Sequence, residues 1–109
     1  MIDFNEKPMT SKAKAKALSL VCQVLDYGKE NKDCDRCLTV EIDEGLGIIE
    51  VAFFERDSEG NFKTADYRDI HLREDRYRTF HEIIQRLDEL SNAMEKFHNG
   101  ENWKKGEPK

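Results

Sequence analysis

The sequence predicts an α+β fold of the order α-β-β-β-α. Three observations carry that reading: a three-and-four apolar periodicity over residues 11–27, extended segments divided by glycine-bearing turns over residues 38–72, and a longer helical periodicity over residues 75–98. Two short connections make an antiparallel meander natural, with both helices packed on one face of three strands.

Pro8 disfavours helix at Lys7, so the first helix is expected to begin at Thr10 or Ser11, either of which can cap it. Ala13, Ala17, Leu18, Val21, Cys22, Val24 and Leu25 recur at helical spacing, and Gly28 supplies a stop. After a polar connection, Leu38, Val40 and Ile42 alternate with Thr39, Glu41 and Asp43 as in a half-buried strand. Gly45 and Gly47 then mark a reversal, because glycine reaches positive φ without steric cost. The run from Ile48 to Phe54 is apolar on both faces except at Glu50, which predicts the central strand.

A second turn over residues 57–61 leads into a third strand, in which Ala65, Tyr67, Ile70 and Leu72 are expected to point inward. The parity change between Tyr67 and Ile70 calls for a bulge there. Tyr77, Phe80, Ile84, Leu87, Ser91 and Met94, widened by Ile83, Leu90 and Phe97, then trace a helix that Asn99 and Gly100 end. The expected core is Leu18, Val21, Leu25, Leu38, Val40, Ile42, Phe80, Ile84 and Leu87. Residues 10–100 form one domain in this reading, with loose ends at 1–9 and 101–109 and Trp103 placed to fold back on the second helix.

Composition narrows the function classes. Apolar and charged residues each make up 38% of the 109 residues, a balance of a thin core under a heavily solvated surface. No apolar run reaches the ~20 residues that span a bilayer, and the first residues lack the apolar stretch of a secretion signal. The odd set Cys22, Cys34 and Cys37 fits a reducing compartment, so a cytoplasmic protein is expected. The net charge of -5 lies in one place: residues 41–60 hold seven acidic side chains against Arg56 alone.

Chemistry-bearing motifs are sparse. Cys34-Asp35-Arg36-Cys37 has the spacing of a zinc or redox pair, but no second pair accompanies it, and His71, His81 and His98 are not at zinc-finger spacing. No nucleophile elbow, phosphate-binding glycine loop or His-Glu-x-x-His helix occurs. A non-enzymatic protein without cofactor or metal is the resulting expectation. Cations gather at the helix starts, Lys7, Lys12, Lys14 and Lys16 at the first and Arg68, Arg73, Arg76 and Arg78 around the second.

Asp57-Ser58-Glu59-Gly60-Asn61-Phe62, then Asp69-Ile70-His71-Leu72, then Tyr77, Phe80, Ile84 and Leu87 on a long helix, resemble the last hairpin and helix of the Pur family of single-stranded nucleic-acid-binding proteins. The resemblance implies base stacking on the open sheet face through Phe53 or Phe54. The order α-β-β-β-α is also that of double-stranded-RNA-binding domains, whose Gly-Pro-x-His loop and Lys-Lys-x-Ala-Lys helix start this chain lacks.

Two functional expectations follow. In the first, Glu41, Asp43, Glu44, Glu50, Phe54, Glu55, Asp57 and Glu59 form an acidic sheet surface that binds a basic protein, such as a nucleic-acid-handling enzyme. A phage-encoded inhibitor of anti-CRISPR type is one concrete form. In the second, Arg68, Arg73, Arg76 and Arg78 bind single-stranded nucleic acid with help from sheet aromatics. A homodimer is expected in either case, because two helices on one face leave apolar residues of the other uncovered.

Overall fold

The computed structural model describes residues 8–30 (side chains through 27), 35–43 and 45–101. Helix α1 (Ser11–Glu30) is followed by strands β1 (Arg36–Asp43), β2 (Ile48–Arg56) and β3 (Phe62–His71) and by helix α2 (Phe80–His98). Among the described residues the strands form one antiparallel sheet in the order β1-β2-β3, with the helices on one side. The α+β architecture is the one that the sequence predicts.

Thr10 starts α1: its hydroxyl accepts from the Ala13 amide at 3.1 Å and its carbonyl from the Lys14 amide at 3.1 Å. The helix continues through Gly28, which therefore does not act as a stop, at the ~1 kcal/mol that an interior glycine costs relative to alanine. Its buried stripe agrees with the expected one at Ala13, Ala17 and Val24 and differs elsewhere. Ala13, Ala17 and Leu20 are buried and Val24 and Tyr27 pack beside them, whereas Leu18 is 60% and Leu25 69% exposed, Val21 is half-buried and Cys22 is exposed. Both stripes have helical spacing, and the alanines of the buried one let the helix approach the sheet closely.

A polar seam joins α1 to α2. Lys16 pairs with Asp88 at 2.6 Å, and Gln23 donates to the Ser91 carbonyl at 2.9 Å while accepting from the Ser91 hydroxyl at 2.8 Å. At its far end Tyr27 stacks on His98, with ring centroids 3.9 Å apart.

The central strand settles which face meets the helices. Ile49, Val51 and Phe53 are fully buried on the helix side, and Phe53 meets Phe97 edge to face at 5.2 Å. Ile48, Ala52 and Phe54 lie on the other face. Leu38 and Val40 of β1 pack against the core as expected, but Ile42 is 55% exposed because it stands at the outer edge, beyond the helices' cover. In β3, Ile70 is buried and Ala65 packs against the core, with Leu72 buried just past the strand's end, while Tyr67 points to the open face and is 52% exposed. The bulge accordingly lies elsewhere than expected: Phe53 faces Asp66 and Phe54 faces Thr64, so Ala65 is the extra residue. With Tyr67 outward, no parity change arises between it and Ile70.

Gly47 and Gly60 take φ of 67° and 87° in the two turns. The second helix begins later than residue 75. Asp75 accepts from the amides of Tyr77 at 2.8 Å and Arg78 at 3.1 Å, closing a turn that leaves Tyr77 exposed, and Thr79 then caps α2 through the Glu82 amide at 3.3 Å. Ile83, Leu87, Leu90, Ala93, Met94 and Phe97 are buried, with Phe80 and Ile84 only half-buried at the stripe's margin. Gly100, at φ 78°, ends the helix with the Glu101 amide donating to the Lys96 carbonyl at 2.8 Å, as the sequence predicts. Trp103 lies outside the described residues.

Candidate functional site

Strand alternation sets the open face in rows. Glu41, Glu50 and Asp69 stand abreast, one from each strand, and Thr39, Ala52 and Tyr67 form the row beside them. Cys37, Phe54 and Thr64 follow on one side, while Asp43, Ile48 and His71 close the other. The face thus has a line of three carboxylates flanked by an apolar strip of Ala52, Phe54 and the Tyr67 ring.

The line is electrostatically unfavourable by itself, because like charges directly opposite each other across strands repel. Tyr67 offsets part of this. Its hydroxyl is hydrogen-bonded to Glu50, and this bond, with desolvation and the nearby charges of Glu50, Asp69 and Glu41, pushes the phenol up from 10.0 to about 12. Among the described strand residues, the formal cation on this face is Arg56, which sits at the far end, 3.6 Å from Asp35 and stacked over Phe62.

The structure divides the acidic residues that sequence reasoning grouped. Glu41, Asp43, Glu50 and Phe54 share the open face, although Asp43 also holds the first turn by accepting from the Leu46 amide at 2.9 Å. Glu55 points to the helix side, where it approaches Arg36 at 3.7 Å. Asp57 and Glu59 belong to the β2–β3 turn at the opposite end of the sheet. There Asp57 accepts from the amides of Glu59 at 2.9 Å and Asn61 at 3.0 Å, and these backbone bonds hold its carboxyl below its ordinary value. Glu44 lies outside the described residues. Asp69 and Tyr67 were missed, and the outward alternation Tyr67, Asp69, His71 was the signal that could have found them.

The four arginines of the second expectation do not share the open face. Arg68 turns to the helix side, 2.8 Å from Asp66 and over the Phe53 ring. Arg73 lies against Gly47, Arg76 stacks over its neighbour Tyr77, and Arg78 is bound to Asp75. Between β3 and the start of α2 is a cleft of about 210 Å³ lined by both signs of charge, including Asp69, His71, Arg78, Glu82 and Arg86. That volume is below the roughly 300 Å³ at which small-molecule pockets begin.

Cys37 is an exposed free thiol on the open face, and Cys34, the other half of the Cys-x-x-Cys spacing, lies outside the described residues. Among the described residues no group of three or more His, Cys, Asp or Glu side chains is arranged to hold a metal ion. Among the same described residues, no helix is long and apolar enough to cross a membrane. Comparison with protein families, with curated proteins and with solved structures found no match.

Proposed function

We propose that the protein is a non-enzymatic binding protein whose open sheet face engages a basic surface on another protein. The observation that carries this reading is the line Glu41, Glu50, Asp69 beside the apolar strip of Ala52, Phe54 and Tyr67. Lysines or arginines of a partner would relieve the repulsion within the line and steer association from a distance, while the strip supplies desolvated contact. A surface of this charge competes with nucleic acid for a cationic groove. An inhibitor of a nucleic-acid-handling enzyme, such as a phage-encoded anti-CRISPR-like protein, is the concrete form.

The test compares wild type with the charge-reversed variant Glu41→Lys/Glu50→Lys/Asp69→Lys in two measurements. Affinity capture should recover a basic nucleic-acid-binding protein with wild type alone, and wild type should lower that protein's binding to an oligonucleotide. A gel shift of the chain itself with single- and double-stranded oligonucleotides, at two salt concentrations, should show no complex. Salt-sensitive binding of wild type to an oligonucleotide, strengthened in the reversed variant, would overturn the proposal in favour of direct nucleic-acid binding.

A further inference from the structure

The side of the molecule at which the acidic line ends, on Glu41, carries two features that coincide and are uncovered among the described residues. The first is the edge of β1, which among the described residues pairs with β2 alone. The Arg56 amide donates to the Asp35 carbonyl at 2.8 Å, which fixes the alternation of the β1–β2 ladder. Cys37, Thr39 and Glu41 turn their backbone groups toward β2, and Leu38, Val40 and Ile42 turn theirs outward from the sheet. The side chains of these three residues lie on the helix side, half-buried or, for Ile42, exposed.

The second feature is the outer stripe of α1. Lys16, Gln23 and Tyr27 face α2. At ~100° per residue, Leu18 and Leu25 fall on the diametrically opposite side of the helix, with Val21 and Cys22 flanking them. Because α1 packs against β1 while α2 starts against β3 and reaches β1 only at its end, where Arg36 donates to the Phe97 carbonyl at 3.2 Å, that opposite side is the side of the β1 edge. An apolar helix stripe and an open strand edge therefore form one wall.

We infer that this wall is the self-association surface of the protein, and that a second copy adds its β1 antiparallel to the first about a two-fold axis through Val40. The residue pattern selects that register. A two-fold perpendicular to the sheet keeps each side chain on its own face, so the axis must pass through a residue. An axis at Leu38 sets Glu41 against Asp35, one at Thr39 sets Asp43 against Asp35, one at Glu41 sets Glu41 against itself, and one at Ile42 sets Glu41 against Asp43. Each opposes like charges.

An axis at Val40 sets Glu41 against Thr39, Asp43 against Cys37 and Leu38 against Ile42, and brings the Arg36 end of one strand to the Asp43 end of the other. The outward amides and carbonyls of Leu38, Val40 and Ile42 then satisfy one another, and Ile42 gains a neighbour on the helix side. The same axis brings the outer stripe of α1, with Leu18 and Leu25, to the side of its copy. A wall about 27 Å long, the reach of eight extended residues, and about 15 Å high, a helix plus a strand, projects about 400 Å² per partner, roughly half that of a standard interface, so the backbone bonds of the added strand must carry much of the pairing. The two acidic lines then lie on one face of a continuous six-stranded sheet. This surface adjoins the one in the proposed function at Glu41, but the inference does not depend on that reading.

Sedimentation of the full chain from micromolar to hundreds of micromolar tests the inference. Wild type should sediment at twice the 12.8 kDa of the chain. Leu18→Glu/Leu25→Glu alters residues already exposed in the protomer, and Val40→Pro removes an amide that points away from β2, a substitution that edge strands tolerate. Each should weaken the dimer by at least about ten-fold. The first should do so with an unchanged circular dichroism spectrum, and Ile42→Lys replaces Val40→Pro should the latter fail to fold. A wild-type mass of one chain throughout, or a dimer that persists in Leu18→Glu/Leu25→Glu, would overturn the inference. Binding of a basic partner through the open face should be retained in the double variant, which separates failure of this inference from failure of the proposed function.

Discussion

The two edges of the sheet are built on opposite plans. Strand β3 is interrupted by the bulge at Ala65, places Asp66 and Arg68 where a continuous strand would put apolar residues, and carries Lys63 and Asp69 as well. Bulges, lysines and inward-pointing charges are the devices that keep another strand from adding to an edge. Strand β1 pairs with β2 over eight residues without a break, and its helix-side positions after Arg36 are Leu38, Val40 and Ile42. Among the described residues, one edge carries features that discourage further strands and the other does not, and both rest on the same central strand.

The largest expected effect comes from removing the support that the edges share. Phe53 is fully buried, lies between β1 and β3, and meets both Phe97 and Arg68. Phe53→Ala should destabilise the fold by about 3–5 kcal/mol, through lost burial and the cavity left behind. Urea denaturation followed by circular dichroism measures it. A loss below about 1 kcal/mol would mean that the edges are held independently of β2.

The next effect exchanges the edges' characters. Replacing Asp66 and Arg68 together with valine removes the charged pair from β3, which should leave stability within about 1 kcal/mol, because a partly buried ion pair is often matched by apolar residues of similar size. The same variant should associate beyond a dimer, as a second edge opens, and light scattering against concentration detects this. Unchanged scattering would assign the protection of β3 to the bulge alone. Smaller still, Thr79→Ala removes the cap of α2, the helix whose start lies against β3, and should cost about 1 kcal/mol in the same urea titration while leaving the sedimentation of the chain unchanged.

The contrast between the edges also shows what the sequence makes legible. Element order, the central place of β2, the turns at Gly47 and Gly60 and the end of α2 at Gly100 were all readable, because each rests on local chemistry: alternation, positive φ or a helix stop. The phase of α1 was not. Periodicity gives spacing, and the apolar residues of α1 cover more than one face, so a stripe that holds Ala13 and Ala17 together with Leu18, Val21 and Leu25 does not say which of them meet the sheet. Tyr67 was misassigned because a large ring on a strand was read as core. The acidic run over residues 41–60 was visible as composition, but pleating sends Glu55 to the other face and the turn carries Asp57 and Glu59 to the far end. Asp69, from outside that run, completes the line that Glu41 and Glu50 begin.

That line spans the sheet from one edge to the other, so an ionisation on β3 should report charge on β1. Tyr67 is the reporter. Its hydroxyl proton is held by the bond to Glu50, then by desolvation, then by the charges of Glu50, Asp69 and Glu41 in that order, and its ionisation is pushed up to about 12. The sign of the linkage follows: a folded value above the ordinary 10.0 favours the protonated phenol, so its contribution to stability is fully present below pH 10 and is lost as pH rises through about 12. Ultraviolet absorbance titration of phenolate, with Tyr67→Phe to identify the component, measures the value directly. Glu50→Gln should lower it most because the charge-assisted bond is lost, Asp69→Asn less, and Glu41→Gln least, since Glu41 lies across β2 on the far strand. Equal shifts from Glu41→Gln and Glu50→Gln would contradict the placement of Tyr67 beside Glu50. A shift from Glu41→Gln that grows with protein concentration would show a second copy's β1 changing the surroundings of Glu41, and so tie the open edge to the acidic face.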